Sequence, residues 1–153
     1  MKRPVVVLGL GNPLMGDEGI GVYLIERLAG SAADHSSVDF LDAGTGGLSV
    51  LHCIEGRRKA VFIDCALMDE EPGAIRRFTP EEVRSRKVFA HQSLHEADVM
   101  RIIEMAAQLE QAPEQMVIFG IQPERVEFVQ GLSPTLMERM DEYVSLVLQE
   151  LEG

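Results

Sequence analysis

The amino-acid sequence predicts a three-layer α/β/α protein, in which a mostly parallel, twisted sheet of about five strands carries helices on both faces. Short runs of apolar and β-branched residues, several of which close on a glycine or an aspartate, are typical of buried parallel strands. Between these runs, apolar residues recur three and four positions apart, as they do on one face of a helix. Strands that alternate with helices are joined by right-handed crossovers, which place the helices on the faces of a parallel sheet.

The first strand and the first helix are separated by a glycine-rich turn. Residues 4–10 form a short β-branched run that stops at glycines, as a buried strand does. The residues that recur at helical spacing after the turn are Gly21, Leu24, Ile25 and Leu28. Gly30 and Ser31 mark the end of this helix.

The second and third strands each lead to an acidic residue. Residues 38–41 form the second strand, and a second glycine-rich loop, residues 42–47, begins with Asp42. The apolar residues that predict a short helix after this loop are Leu48, Leu51 and Ile54. Residues 59–66 form the third strand, which closes on Asp64.

Capping signals place the elements that follow. Residues 74–78 come after a turn and are expected to form an edge strand. Thr79 and Glu82 form a capping box for the next helix, with a proline at its first position. Ser93 and Glu96 form a second capping box, which predicts the start of a longer helix.

One amphipathic helix precedes the last strand in the sequence, and a second one follows it. The first of them has His95 in its first turn. Its buried stripe is formed by Val99, Ile102, Ile103, Ala106 and Leu109. Residues 116–121 are the last strand, and Ser133 with Pro134 begins a final helix. The apolar face of that helix consists of Leu136, Met140, Tyr143, Val144, Val147 and Leu151.

Composition and charge narrow the classes of function. The 153 residues, 46% of them hydrophobic and 25% charged, are expected to form a single domain over residues 1–153. A net charge of -11 opposes binding to a polyanion, so nucleic acid is not an expected partner. The apolar stretch near the N-terminus is short and has no cleavage site, which favours a cytoplasmic protein without a membrane segment. Cys53 and Cys65 lie in apolar segments and are expected to be buried free thiols.

The turn after the first strand matches a dinucleotide-binding fingerprint only in part. Gly9 and Gly11 are in place, but Leu14 occupies the position of the third glycine. Asp17 and Glu18 follow at the point where a pyrophosphate would meet the start of a helix, and their charge would repel it. Nucleotide binding is therefore disfavoured.

Acidic residues gather at the carboxyl ends of the predicted strands, where open α/β sheets bind their ligands. Glu18 follows the first strand, Asp42 follows the second and Asp64 ends the third. A carboxylate at a helix start is stabilised in its ionised form by the helix dipole, so it is available to a cation. Together with His95, Glu18 and Asp64 make a set of oxygen and nitrogen ligands that suits nickel, zinc or iron with open positions.

Structural roles compete with this interpretation. Asp17 and Glu18 are equally well explained as first-turn acids placed for the helix dipole, and Asp64 as a cap of the turn that follows it. Taken alone, His95 is more often a surface residue of a capping turn. His91, four residues earlier, competes with His95 as a ligand. Only the convergence of three such residues at one edge of the sheet favours a metal site.

Five segments, in order along most of the chain, carry a more specific signal. They read LGLGN with GDEGIGV at 8–22, DAGTGGL at 42–48, FID at 62–64, SLHE at 93–96, and GIQPE with LS at 120–133. In this order they resemble the hydrogenase maturation endopeptidases, which process the large subunit of nickel-iron hydrogenases.

The resemblance implies an α/β endopeptidase that removes the C-terminal extension of the large-subunit precursor after nickel has been inserted. It implies that Glu18, Asp64 and His95 contact nickel and act in catalysis through the metal. We expect nickel to be presented by the precursor rather than held tightly by the free protease. The residues expected to line the substrate cleft are Asp17, Asp42, Gly44, Thr45 and Gly46.

Two other functions stay open on the sequence alone. A non-enzymatic nickel-delivery module, or metallochaperone, would use the same three residues without cutting a peptide bond. Peptidyl-tRNA hydrolases also begin with a strand that leads into Gly-Leu-Gly-Asn-Pro, but Asp17, Glu18 and the net charge of -11 offer no surface for tRNA. A covalent mechanism is disfavoured, because no GxSxG turn occurs and the adjacent His52 and Cys53 would not face each other on a helix.

Overall fold

The chain folds around one five-stranded sheet, in a computed structural model that describes residues 2–31, 36–44, 47–84 and 96–152. The strands of this part of the chain are β1 (Val5–Leu10), β2 (Val38–Gly44), β3 (Lys59–Cys65), β4 (Ile75–Phe78) and β5 (Gln115–Ile121). Their order across the sheet is β2-β1-β3-β5-β4. Every neighbouring pair is parallel except β4 and β5, which are antiparallel. The predicted mostly parallel sheet is confirmed, and the edge strand expected over residues 74–78 is observed as β4.

Helices cover both faces of the sheet, as predicted. They are α1 (Ile20–Gly30), α2 (Ser49–Ile54), α3 (Pro80–Arg84), α4 (Glu96–Gln108), α5 (Pro134–Glu138) and α6 (Met140–Glu152). A short 3-10 turn, Gly16–Gly19, precedes α1. One face of the sheet packs against α1, α5 and α6, and the other against α2, α3 and α4. Within the described ranges the longest helices have 13 residues, and none is long and apolar enough to cross a bilayer.

Two apolar layers form because the central strands are buried on both sides. Val5 and Val7 of β1 point into the layer with α1, and Val6 and Leu8 point into the layer with α2 and α4. β1 and β3 are buried along their whole length, as expected of central parallel strands between two helical layers.

The helix boundaries follow the capping signals with two differences. Glu82 and Thr79 exchange the hydrogen bonds of the predicted capping box, at 3.0 and 3.3 Å. The final helix is interrupted: α5 ends at Glu138, and Arg139 adopts a non-helical conformation with φ -102 and ψ 5 before α6 begins. Ser133 precedes α5 as predicted, but its hydroxyl does not cap the helix. Ser93 lies outside the described residues, and α4 is described from Glu96 onward.

Candidate active site at the carboxyl edge of the sheet

The predicted acidic residues lie along one edge of the sheet. Because β1, β2 and β3 are parallel neighbours, their carboxyl ends share this edge. Glu18 lies in the 3-10 turn after β1, Asp42 lies near the end of β2, and Asp64 is the last residue but one of β3. The 3-10 turn also contacts β3 directly. The fold therefore brings the turn that bears Glu18 and the end of β3 that bears Asp64 together at one edge of the sheet.

Glycines allow α1, and the 3-10 turn that precedes it, to pack closely against the sheet. A Cβ atom on Gly21 would lie 2.5 Å from the carbonyl oxygen of Leu10 and 2.6 Å from that of Ile63, the residue before Asp64. A Cβ atom on Gly11 would collide with the carbonyl oxygen of Glu18, and Gly11 has a φ of +124, which favours glycine. The glycines of the first loop therefore serve close packing, which sets the position of Glu18 relative to β1 and β3.

Glu18 and Asp64 concentrate negative charge in a buried place. Each residue is only 5% exposed. An oxygen of the Asp64 carboxylate accepts a hydrogen bond of 2.8 Å from the amide of Cys65. The pKa of the buried Cys65 thiol is raised by desolvation and, in addition, by the charges of Asp64, Glu18 and Asp17. The thiol is therefore protonated at neutral pH.

The carboxylate of Asp17, the neighbour of Glu18, is held by the loop after β5. Asp17 is fully buried, and its carboxylate accepts hydrogen bonds from the amides of Glu124 and Arg125, both at 2.9 Å. It also accepts from the amide of Ser133 at 2.7 Å and from the Ser133 hydroxyl at 2.8 Å. A carboxylate enclosed in this way has no solvent-exposed area that a substrate could contact. The expectation that Asp17 lines the cleft is wrong, because its side chain instead fastens the loop after β5.

The end of β2 is exposed beside the loop after β1. The Asp42 side chain accepts a hydrogen bond of 2.8 Å from the amide of Gly44, which forms a tight turn. The Gly44 carbonyl in turn accepts from the amide of Gly11 at 2.6 Å, so the two loops are joined. Asp42 is exposed at this edge of the sheet. Thr45 and Gly46, which were also predicted for the cleft, lie outside the described residues.

The histidine of the predicted ligand set lies in a part of the chain that the structure does not describe. Both His95 and the competing His91 fall within residues 85–95. Among the described residues, no group of three or more histidine, cysteine and acidic side chains is arranged to hold a metal. The described part of the site thus consists of two carboxylates, and the role of His95 stays a prediction.

Two features of this edge were missed by sequence reasoning. The Gln122 side chain is buried after β5, and its oxygen accepts from the amide of Met68 at 2.7 Å, which ties the loop after β3 to β5. Phe128 is 84% exposed in the loop that Asp17 fastens. The segments that carry the resemblance contain Gln122, whereas no periodic signal distinguishes Phe128 from a core residue.

Comparisons with known proteins find relatives over nearly the whole chain. The family model described as hydrogenase maturation protease matches residues 22–150. The hydrogenase 2 maturation protease of Escherichia coli K12 is 30% identical over 151 residues, which cover 96% of this chain and 90% of that protein. The hydrogenase expression/formation protein HupD of Rhodobacter capsulatus is 31% identical over 150 residues, which cover 97% of this chain and 71% of that protein.

A solved structure shares the fold as well as the sequence. The hydrogenase maturating endopeptidase HybD from Escherichia coli matches with a TM-score of 0.83 and 28% identity, over 99% of this chain and 93% of that chain. At this coverage, the similarity includes the strands and turns that carry Glu18 and Asp64.

Proposed function

Since this chain belongs to the hydrogenase maturation protease family, we propose that it removes the C-terminal extension of a nickel-iron hydrogenase large-subunit precursor, in the cytoplasm and after nickel insertion. Membership of the family makes the chain an endopeptidase. The observation that best supports a nickel-reading site is the pair of buried carboxylates, Glu18 and Asp64, at one edge of the sheet.

The donor chemistry of this edge fits a divalent cation that arrives with the substrate. Glu18 and Asp64 are both buried at this edge, and carboxylate oxygens are ligands that divalent cations accept. Burial raises the pKa of the Cys65 thiol most, and the charges of Asp64, Glu18 and Asp17 raise it further, which is consistent with these acids lying near one thiol. Carboxylate and imidazole groups together suit nickel. We propose His95 as the imidazole ligand, with His91 as the alternative.

In this proposal, the residues of the protease bind nickel that the precursor already holds through its cysteines. Glu18 and Asp64 approach from the protease side, and His95 completes the set of ligands. Nickel held between the two proteins supplies Lewis-acid polarisation of the scissile carbonyl and of a water molecule. The loop after β2, with Asp42, receives the C-terminal tail of the precursor. The other members of this cleft are Gly44, Thr45 and Gly46.

Exchanging Glu18 for glutamine tests the metal contact. Glu18→Gln keeps the size of the side chain and removes its charge, so the fold should survive. Processing of the nickel-loaded precursor should fall about a hundredfold or more, because loss of one metal contact removes several kcal/mol of transition-state stabilisation. Glu26→Gln is the matched control, since Glu26 is an exposed acid in α1. Unchanged processing by Glu18→Gln would refute the role of Glu18.

Calorimetry separates a substrate-carried metal from a resident one. With only its own ligands available, the free protease should bind nickel weakly, and titration with nickel chloride should give no tight stoichiometric transition. A tight site of one nickel per chain in the isolated protein would show that the metal belongs to the protease.

The two alternative functions lose their support at this point. Family membership favours peptide-bond cleavage over non-enzymatic nickel delivery and over a peptidyl-tRNA hydrolase-like esterase. Loss of the C-terminal peptide from the precursor distinguishes the protease from a metallochaperone, since a metallochaperone would bind the precursor and leave its mass unchanged.

A further inference from the structure

The carboxylate of Asp17 joins two loops that are far apart in sequence. All of its described partners belong to the segment between β5 and α5, more than a hundred positions along the chain. Each of these partners donates a hydrogen bond, so the group in the middle must be an acceptor only. An ionised carboxylate meets this need, and hydrogen bonds to a charged acceptor are stronger than those between neutral groups.

Backbone contacts reinforce the same junction. The amide of Asp17 donates to the carbonyl of Arg125 and the amide of Gly16 donates to that of Val129, both at 2.8 Å. Met15 forms a β-bridge with Val129. The turn that bears Glu18 is therefore attached to the loop after β5 through the backbone of residues 15–17 as well as through the Asp17 side chain.

We propose that Asp17 is a positioning residue for proteolysis, which holds the turn bearing Glu18 against the loop after β5. This inference rests on the function proposed above. Glu18 follows Asp17 directly, so any change in the backbone of Asp17 moves the Glu18 side chain relative to Asp64. A displacement of about 1 Å in a reacting constellation can lower the rate about a hundredfold. The same link joins the turn to the loop that carries the exposed Phe128.

The charge of Asp17 is essential to this role, and its size alone is insufficient. An asparagine at this position would direct an amide N–H toward at least one of the surrounding donors, whichever way the side chain is turned. Asp17→Asn therefore perturbs the junction while it leaves the volume of the core unchanged. Ser133→Ala is a milder variant, because it removes the hydroxyl donor and keeps the backbone amide donor of Ser133.

Tyr143→Phe is the matched structural control. The Tyr143 hydroxyl is buried in α6 and donates a hydrogen bond of 2.6 Å to the carbonyl of Gly73, in a different loop. Burial raises the pKa of Tyr143 to about 12, so the hydroxyl is a neutral donor at working pH. Its loss lowers stability without removing any hydrogen bond to Asp17.

The test combines steady-state kinetics on the nickel-loaded precursor with amide hydrogen exchange on the free protease. For Asp17→Asn we expect kcat to fall at least tenfold while KM changes less than threefold, together with faster exchange at Glu124, Arg125 and Ser133. For Ser133→Ala we expect a two- to fivefold fall in kcat. For Tyr143→Phe we expect kcat within twofold of wild type.

Three results would overturn the inference. They are an unchanged kcat in Asp17→Asn, an equal fall in kcat in Tyr143→Phe at matched loss of stability, and unchanged exchange at the three amides. If Asp17→Asn does not fold, Ser133→Ala decides, and an unchanged kcat in that variant counts against the inference. Failure of the wild-type protein to cleave would refute the proposed function instead. Amide exchange would still test whether Asp17 holds the loop after β5.

Discussion

Replacing Gly21 with alanine should push α1 away from the sheet and move Glu18 away from Asp64. The added Cβ would lie 2.5 Å from the Leu10 carbonyl oxygen, 2.6 Å from the Ile63 carbonyl oxygen and 2.7 Å from the Leu10 nitrogen. These are backbone atoms of β1 and β3, so no side-chain rotation relieves the contact. Ordinary contact begins near 3.4 Å, which requires a shift of about 0.9 Å.

The structural cost and the catalytic cost of this shift have different sizes. Overpacking of a well-packed core costs about 1–3 kcal/mol, because neighbouring groups must leave their preferred positions. A displacement of nearly 1 Å at the site costs about a hundredfold in rate. Gly21→Ala should therefore remain folded at room temperature and lose most of its activity.

Urea denaturation measures the loss of stability in Gly21→Ala, and precursor cleavage by the same preparations measures its loss of rate. Gly30→Ala is the control in the same helix, since a Cβ on Gly30 would meet no atom within 4 Å. That variant should keep full activity and gain up to about 1 kcal/mol of stability, because alanine is the better helix former. Wild-type stability and activity in Gly21→Ala would refute the packing argument.

Two further predictions concern the opposite ends of the molecule. Arg77 and Lys59 hydrogen-bond to Glu150 at 2.6 and 2.8 Å and lower its pKa below the ordinary 4.5. The stability that results is present above about pH 4.5 and is lost as the pH falls through the lowered value, so Glu150→Gln should flatten the acid side of a stability–pH curve measured by denaturation. Phe128→Ser should raise KM for the precursor without changing the melting temperature. Leu109 was expected in the buried stripe of its helix, but it follows α4 and is 54% exposed, so Leu109→Ser should change neither quantity.

Much of the fold was predictable because the core repeats a simple pattern. Continuous apolar runs indicate strands buried on both sides, as in β1 and β3, and helical stripes indicate helices that cover them. Parallel strands share a carboxyl edge, so Glu18 and Asp64 were expected to lie along it. Local periodicity gave no sign of the break at Arg139, since the apolar face continues from α5 into α6.

The sequence could not predict which of the two acids, Asp17 or Glu18, binds the loop after β5. Asp17 and Glu18 are adjacent acids in one turn, and either could have met the loop after β5. The choice depends on donors at Glu124, Arg125 and Ser133, which the chain brings to Asp17 only when the sheet forms. For the same reason, the Ser133 hydroxyl, expected to cap a helix, is used by Asp17 instead.

A basic cluster at residues 57–59 shows the same limit. From the sequence, its cations are expected to lie at the end of a helix, where they suit the helix dipole. Arg57 donates a hydrogen bond of 2.9 Å to the Cys53 carbonyl at the end of α2, a contact that suits a cation near a helix C-terminus. Lys59 is instead buried in β3 and pairs with Glu150 of the last helix. The cost of burying the lysine charge there is offset by a partner that is distant in sequence.

The mass of the precursor after incubation with the protease tests the central claim most directly. The nickel-loaded large-subunit precursor and the same precursor without metal are incubated separately with the wild-type protein and analysed by mass spectrometry. We predict loss of a C-terminal peptide from the nickel-loaded precursor alone. An unchanged mass despite binding, or equal cleavage of the metal-free precursor, would contradict a protease that reads nickel through Glu18 and Asp64.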